Sequence, residues 1–278
     1  MTSYAEQLIT NTYGRQYYIY RDDKFFQQRI ANAGPYQKRN LIALRRLVPH
    51  ARTILDIGMN IGMNTVEYST FADEVHGFEP TPQTYDMAKR AIDLNRNQTA
   101  TKNWFEKWDP NANMTCTGKM YAYQVGIGAA SGYLDILIKK DNAGQNHIDN
   151  IDVPTRTGKQ RVRRVEPEKV NVPIKTIDEY GFDAVDIIKI DTEGYEYPVL
   201  LGAEKTIDTH RPIVQVEMDD SHTQRFGTTC QNIVDWFVNK SYNVYLCDGT
   251  LVGDVWAPVP KMVERFFVPK EAPLNLFV

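Results

Sequence analysis

Thr53-Ile-Leu-Asp-Ile57 followed by Gly58-Met-Asn-Ile-Gly62 reads as a buried strand running into a glycine-bearing turn. Glycines there let the backbone reverse sharply and approach a ligand closely. A helix predicted to begin near Gly62 would offer free N–H groups and a partial positive charge to a carboxylate. Glu74-Val-His-Gly-Phe-Glu79 is a second strand, and Pro80-Thr81-Pro82 opens another helix. Thr81 suits its N-cap, Pro82 its first helical position, and Tyr85, Ala88 and Ile92 its buried face. This β-α-β-α order implies parallel strands joined by right-handed crossovers, and so an α/β fold.

Further strands are predicted at Tyr121 to Val125, Tyr133 to Lys139, Val170 to Ile174, Val185 to Ile190 and Pro212 to Met218, then near 242–247 and 263–268. A helix is predicted near 228–239, and the polar segments 98–118 and 140–168 read as insertions. Residues 1–50 read as a helical lead-in or cap. Leu41, Leu44, Leu47 and Val48 recur at helical spacing, Pro49 ends the helix, and six aromatics between Tyr13 and Phe26 are expected to pack the lead-in helices.

The chain has 278 residues, 42% of them hydrophobic and 24% charged, which excludes a disordered or low-complexity protein. Its net charge of −3 gives no global electrostatic grip on nucleic acid. Cys116, Cys230 and Cys247 form no C-x-x-C pair, so a disulfide framework and a zinc ribbon are not expected and a reducing, cytoplasmic setting is. No apolar run is long enough for a membrane span, and the start lacks the pattern of a secretory signal.

Glu79 closes the second strand, where a carboxylate can accept both hydroxyl hydrogens of a ribose. A glycine turn with an acid at the end of the next strand is the arrangement that holds an adenosine-bearing cofactor at a sheet's switch point. The spacing here is G-x-x-x-G, not the dinucleotide G-x-G-x-x-G. Asp56 would also oppose a pyrophosphate. S-adenosylmethionine, with an ammonium and a sulfonium, fits better than a nicotinamide cofactor. The alternative is a structural turn with no ligand, against which Glu79 argues.

Asp191 and Glu193 should emerge at the end of the Val185–Ile190 strand, with Glu217 and Asp219 ending its neighbour and Asp220 and His222 just beyond. Converging carboxylates raise one another's pKa, which favours a catalytic base. They could instead hold a divalent metal, or cap the following helix. Asp191, Glu193 and Glu217 are therefore the catalytic candidates. His147 and His222 are weaker substrate candidates, each with a surface histidine as the alternative. Arg156, Lys159, Arg161, Arg163 and Arg164 place five positive charges in nine residues. Such a run recognises phosphate or nucleic acid, or is simply a solvated hairpin.

Ile54-Leu-Asp-Ile-Gly-Met-Asn-Ile-Gly62, Val75-His-Gly-Phe-Glu-Pro80, Val172-Pro-Ile-Lys-Thr-Ile-Asp178 and Ile188-Lys-Ile-Asp-Thr-Glu-Gly-Tyr-Glu196, continued by Val199-Leu-Leu-Gly-Ala203, resemble the FkbM-type methyltransferases over roughly residues 50–220. The resemblance implies a Rossmann-like, seven-stranded, mostly parallel sheet with helices on both faces and one antiparallel edge hairpin. It also implies S-adenosylmethionine-dependent methyl transfer, usually to a hydroxyl oxygen of a sugar or secondary metabolite. Cofactor contacts are then expected at Asp56, Gly58, Asn60, Gly62, Asn64, Thr65, Glu79, Pro80, Gly126 and Asp191. Met59 stands where the family usually has a small residue and is expected to narrow the pocket. The expected layout is the lead-in at 1–50 and a methyltransferase domain at 51–278. Alternatives are an RNA or nucleotide 2′-O-methyltransferase, suggested by the basic stretch and the Tyr-rich N-terminus, and a non-catalytic cofactor-binding module.

Overall fold

In a computed structural model the structure describes residues 5–32, 35–138, 147–148, 168–254, 256 and 263–272. The strand expected at Thr53–Ile57 is β3 (Ala51–Ile57), buried along nearly its whole length. It lies in an eight-stranded sheet with β4 (Ala72–Phe78) and β5 (Lys119–Tyr123) on one side and β10 (Ile187–Ile190) and β11 (Ile213–Met218) on the other. These five strands are parallel. Beyond β11 come β14 (Val263–Pro269), β12 (Tyr242–Tyr245) and the two-residue β13 (Leu251–Val252). β14 is antiparallel to both β11 and β12.

The sheet thus has eight strands, not the expected seven. The extra one is β13, which a turn at Gly249 (φ +88°) folds back onto β12, so that Val252 faces Val244 and Leu251 faces Tyr245. The strands expected near Tyr133 and Val170 belong to a second, four-stranded sheet. It consists of β6 (Gly126–Ile127), β9 (Glu168–Lys175), β7 (Gly132–Ile138) and β8 (His147–Ile148).

Side-chain alternation along the parallel strands feeds two cores. Ile54, Val75 and Ile187 face α2 (Lys38–Leu47), α3 (Met63–Tyr68) and α4 (Pro82–Asn95). Leu55, Ile188 and Val214 face α5 (Glu196–Leu201), α6 (Glu204–His210) and α8 (Cys230–Asn239). Helices therefore cover both faces, as expected.

The lead-in is only partly helical. Residues 6–20 form a hairpin of β1 (Glu6–Thr10) and β2 (Gln16–Tyr20), followed by α1 (Lys24–Asn32) and α2. The aromatic run conceals a two-residue alternation, in which Tyr17 and Ile19 are buried. The turn is set by the Asn11 side chain, whose oxygen accepts the N–H groups of Tyr13 and Arg15, and by Gly14 at φ +83°. Leu41, Leu44 and Leu47 are the buried face of α2, as their spacing predicts.

The 98–118 insertion is built into the core. Trp104 donates its indole N–H to Glu67 at 2.8 Å. Arg15, fully buried, donates to Glu67 at 3.3 Å and to the carbonyls of Gln98 and Met114, both at 2.7 Å. The hairpin, α3 and the insertion are thus tied by one buried ion pair. The basic stretch 156–164 lies outside the described residues. No helix among the described residues is long and apolar enough to cross a membrane.

Candidate active site

The sheet order reverses between β3 and β10, and the turn after β3 lies against the turn after β10. Gly58 sits at φ +79°, and a Cβ there would overlap the backbone carbonyl oxygen of Asp191, so only glycine fits. Asn60 is left-handed at φ 52°, and Gly62 at φ +83° leads into α3. Lys189, rising from the middle of buried β10, donates to the Gly58 carbonyl at 2.9 Å. Its ammonium is 3.4 Å from both Asp56 and Asp191. Burial opposes that charge, but Asp191 and Asp56 outweigh it and hold the ammonium above the usual lysine range.

Several expected cofactor contacts are already spoken for within the protein. Asp56 is 0% exposed, faces Lys189 and accepts the Thr65 hydroxyl at 2.6 Å. Asn64 donates to the side-chain oxygen of Gln37 at 2.9 Å. Asp56, Thr65 and Asn64 thus help to shape the turn from within, while Asn64 Oδ1 is buried with no hydrogen-bond partner among the described residues. The buried Met59 side chain packs against Gly77 of β4, where a Cβ would overlap the sulfur.

Glu79 is 8% exposed and lies just beyond β4. One oxygen accepts the Thr81 N–H at 2.9 Å, and the backbone of Asn60 also donates to the carboxylate. Burial nevertheless pushes the carboxyl up to about 7. Pro80 follows it and lies beside Gly126, where a Cβ would overlap Ile174. Glu79, Asn60 and the Gly58 turn thus meet at one place and form a cradle beside the switch point. This donor set fits the adenosine and amino-acid ends of S-adenosylmethionine.

Across the switch point lies an acidic edge. Asp191 is 18% exposed at its side chain, and Glu193 beside it is left-handed at φ 56°. Glu217 stands directly opposite Glu264 across β11 and β14. Glu264 accepts one amide N–H from Gln37 and one from Gln215, both at 2.9 Å. Burial and then Asp191 push Glu264 up to about 7. Burial, followed by Asp191, Glu264 and Glu193, pushes Glu217 well above the usual carboxylate range. His222, on α7 (Asp220–Thr223), has Nδ1 3.4 Å from Glu193. The backbone of His147 lies in β8, away from the main sheet, and its side chain is outside the described residues. Asp219 does not join the acidic edge; it accepts the Ser221 N–H at 2.8 Å as the N-cap of α7.

Neither Asp191 nor Glu193 caps α5, whose N-terminus has no side-chain cap, and Glu196 at its start instead closes the loop before it. One of its oxygens accepts the N–H groups of Thr192 and Gly194, each at 3.0 Å. Donor atoms of Glu193, Glu217 and His222, and separately those of Asp191, Glu217 and Glu264, lie within 4.8 Å of one another. In the second group Asp191 already faces the Lys189 ammonium.

Sequence reasoning missed Lys189, Glu264, Gln37 and Gln215. Only Lys189 carried a signal, because a charge inside Ile187-Ile-Lys-Ile190 requires a buried partner. The others meet the site through pairings distant in sequence.

A family model, the Methyltransferase FkbM domain, matches residues 56–244. The chain belongs to the FkbM methyltransferase family. Its domain is therefore that of an S-adenosylmethionine-dependent methyltransferase, and the cradle around Gly58 and Glu79 suits that cofactor. No curated protein matches the chain. Among solved structures it is similar to a methyltransferase FkbM from Methylobacillus flagellatus, with 15% identity and a TM-score of 0.44 over 78% of this chain. It spans only 43% of that protein's length. An O-methyltransferase from Bacillus cereus in complex with S-adenosylhomocysteine matches at 13% identity and a TM-score of 0.41, covering 85% of this chain and 82% of that one. An rRNA methylase from Streptococcus thermophilus matches at 8% identity and a TM-score of 0.40, covering 85% and 95%. These likenesses carry no argument about the acceptor of this FkbM-type methyltransferase.

Proposed function

We propose that the chain methylates a hydroxyl oxygen on a sugar, glycan or secondary-metabolite acceptor, in the cytoplasm. The observation that carries this reading is the acidic edge of Asp191, Glu193 and Glu217 beside the Gly58 turn. An alcohol must lose its proton as it is methylated, and a positioned base contributes about 10²–10⁴-fold. The three free cysteines support a reducing setting.

S-adenosylmethionine supplies a methyl group on a sulfonium that is already a good leaving group. What remains for the protein is alignment, exclusion of water and removal of one proton. In this reading Glu79 holds the ribose, while Gly58, Asn60 and Gly62 give the ligand close access to backbone. Pro80 and Gly126 border the same cradle. Asp191 lies at the boundary between cofactor and acceptor, Glu217 accepts the proton, and Glu193 with His222 borders the acceptor side. The N-terminal lead-in, residues 1–50, serves as a cap on the domain that follows. An RNA acceptor would rest on the basic stretch 156–164, and no observation among the described residues favours it.

The test is ligand-induced stabilisation followed by turnover. S-adenosylhomocysteine should raise the melting temperature, Glu79→Ala should abolish the rise, and labelled methyl should pass to a hydroxyl-bearing small molecule or glycan. Absence of any thermal shift at saturating ligand overturns the reading.

A further inference from the structure

Glu217 and Glu264 face each other directly across an antiparallel strand pair, and Asp191 lies close to both. Like charges placed opposite each other on one sheet face destabilise it, and neighbouring carboxylates resist ionising together. The two members are not equivalent. Glu264 receives an amide N–H on each oxygen, from Gln37 and Gln215. The Glu217 carboxyl instead faces the carboxylates of Asp191, Glu264 and Glu193. Around Glu217 stand Asp191 beyond β10, Glu193 and Glu196 after it, Glu264 on β14, His222 on α7 and Tyr36 from the N-terminal segment. Lys189, the nearby cation, is engaged by Asp56 and Asp191. The amide donors favour negative charge on Glu264, and the ring of carboxylates favours a proton on Glu217.

We infer that Glu217 holds a proton in the ligand-free protein, releases it when the sulfonium cofactor binds, and so becomes the proton acceptor for methyl transfer. Glu264 acts through Glu217 as a positioning residue. This rests on the methyltransferase reading above. A bound sulfonium adds one positive charge at an edge crowded with carboxylates, which favours the ionised form of the least stabilised one. In the transfer, the acceptor O–H proton passes to the Glu217 carboxylate and the oxygen's electron pair forms the O–CH3 bond. The S–CH3 bond breaks with its pair left on sulfur. The departing thioether is neutral, and Glu217 is left protonated, as it began. Each new methyl donor therefore prepares its own base.

The experiment compares proton release on binding of S-adenosylmethionine and of S-adenosylhomocysteine, by calorimetry at neutral pH in two buffers of different ionisation heat. Groups that sense the shared adenosine, Glu79 among them, contribute equally to both ligands and cancel. The sulfonium ligand should release about one proton more than the thioether. Glu217→Gln should erase the difference. Glu264→Gln should shrink it, because Glu217 without that neighbour ionises beforehand. The wild-type protein gives a second readout that needs no variant: the infrared carbonyl band of a neutral carboxylic acid should fade on adding S-adenosylmethionine and persist with S-adenosylhomocysteine. Equal proton release by the two ligands, or a difference that survives Glu217→Gln, overturns the inference while leaving the cofactor reading intact. Failure of both ligands to bind overturns the cofactor reading and this inference with it.

Discussion

Replacing Lys189 by Met keeps most of the buried stem and removes only the ammonium. Lys189 is 2% exposed, Asp56 is 0% exposed, and the ammonium also holds the Gly58 carbonyl. Removing it leaves Asp56 with the Thr65 hydroxyl as its remaining hydrogen-bond partner, and Asp191 without its cation. Breaking a buried pair from one side costs about 3–5 kcal/mol, because a charge is left uncompensated. Lys189→Met should therefore destabilise by about that amount in chemical denaturation at neutral pH. Asp56→Asn combined with Lys189→Met removes both charges and should be less harmful than the sum of the single changes, with a coupling energy of about 2 kcal/mol or more. A loss below about 1 kcal/mol for Lys189→Met, or simple additivity in the double variant, refutes the view that this ion pair fixes the turn.

Gly58→Ala should be worse than its small volume suggests. The left-handed backbone alone costs about 1–2 kcal/mol, and the added methyl would overlap the Asp191 carbonyl, so denaturation should show at least that loss together with lost S-adenosylhomocysteine binding. Stability should also fall as pH rises from about 4 towards neutrality. Burial raises Glu79 and Glu264 to about 7 in the folded protein, above the unfolded value of about 4.3. Their contribution is complete below the unfolded value and lost as pH climbs through the folded one, up to about 1.4 kcal/mol per pH unit per group. Urea denaturation between about pH 4 and 7 should show this decline, and the curve should level off above that range. Glu264→Gln should reduce the slope, and a rising curve would contradict the assignment.

The fold was largely legible because its central strands are local, apolar and closed by glycine or proline. Ile54-Leu-Asp-Ile57 and Val185–Ile190 announce themselves by composition alone. The hairpin at residues 6–20 did not, because aromatics at both faces blurred the two-residue period and hid the turn that Asn11 and Gly14 form. The site was legible one strand at a time. Glu79, Asp191 and Glu217 each end a strand on the same edge of a parallel sheet, and topology gathers such ends. Their partners follow a different rule. Glu264 meets Glu217 through antiparallel register, and Gln37 reaches Asn64 and Glu264 from a left-handed position at φ 51° that nothing local requires. Asp56 shows the same limit: the motif is where expected, but its bracing of the turn through Lys189 and Thr65 depends on contacts that the motif does not announce.

The order in which the chain is synthesised gives the place of β14 a further meaning. It is the last described strand in sequence but lies inside the sheet, between β11 and β12. A nascent chain emerging at about 5–20 residues per second would expose two open strand edges, and an acidic row with no opposing carboxyl, until residues 263–269 arrive. The acidic pair and the completed sheet come into being in the same final step of assembly, so a chain interrupted before that strand would lack both.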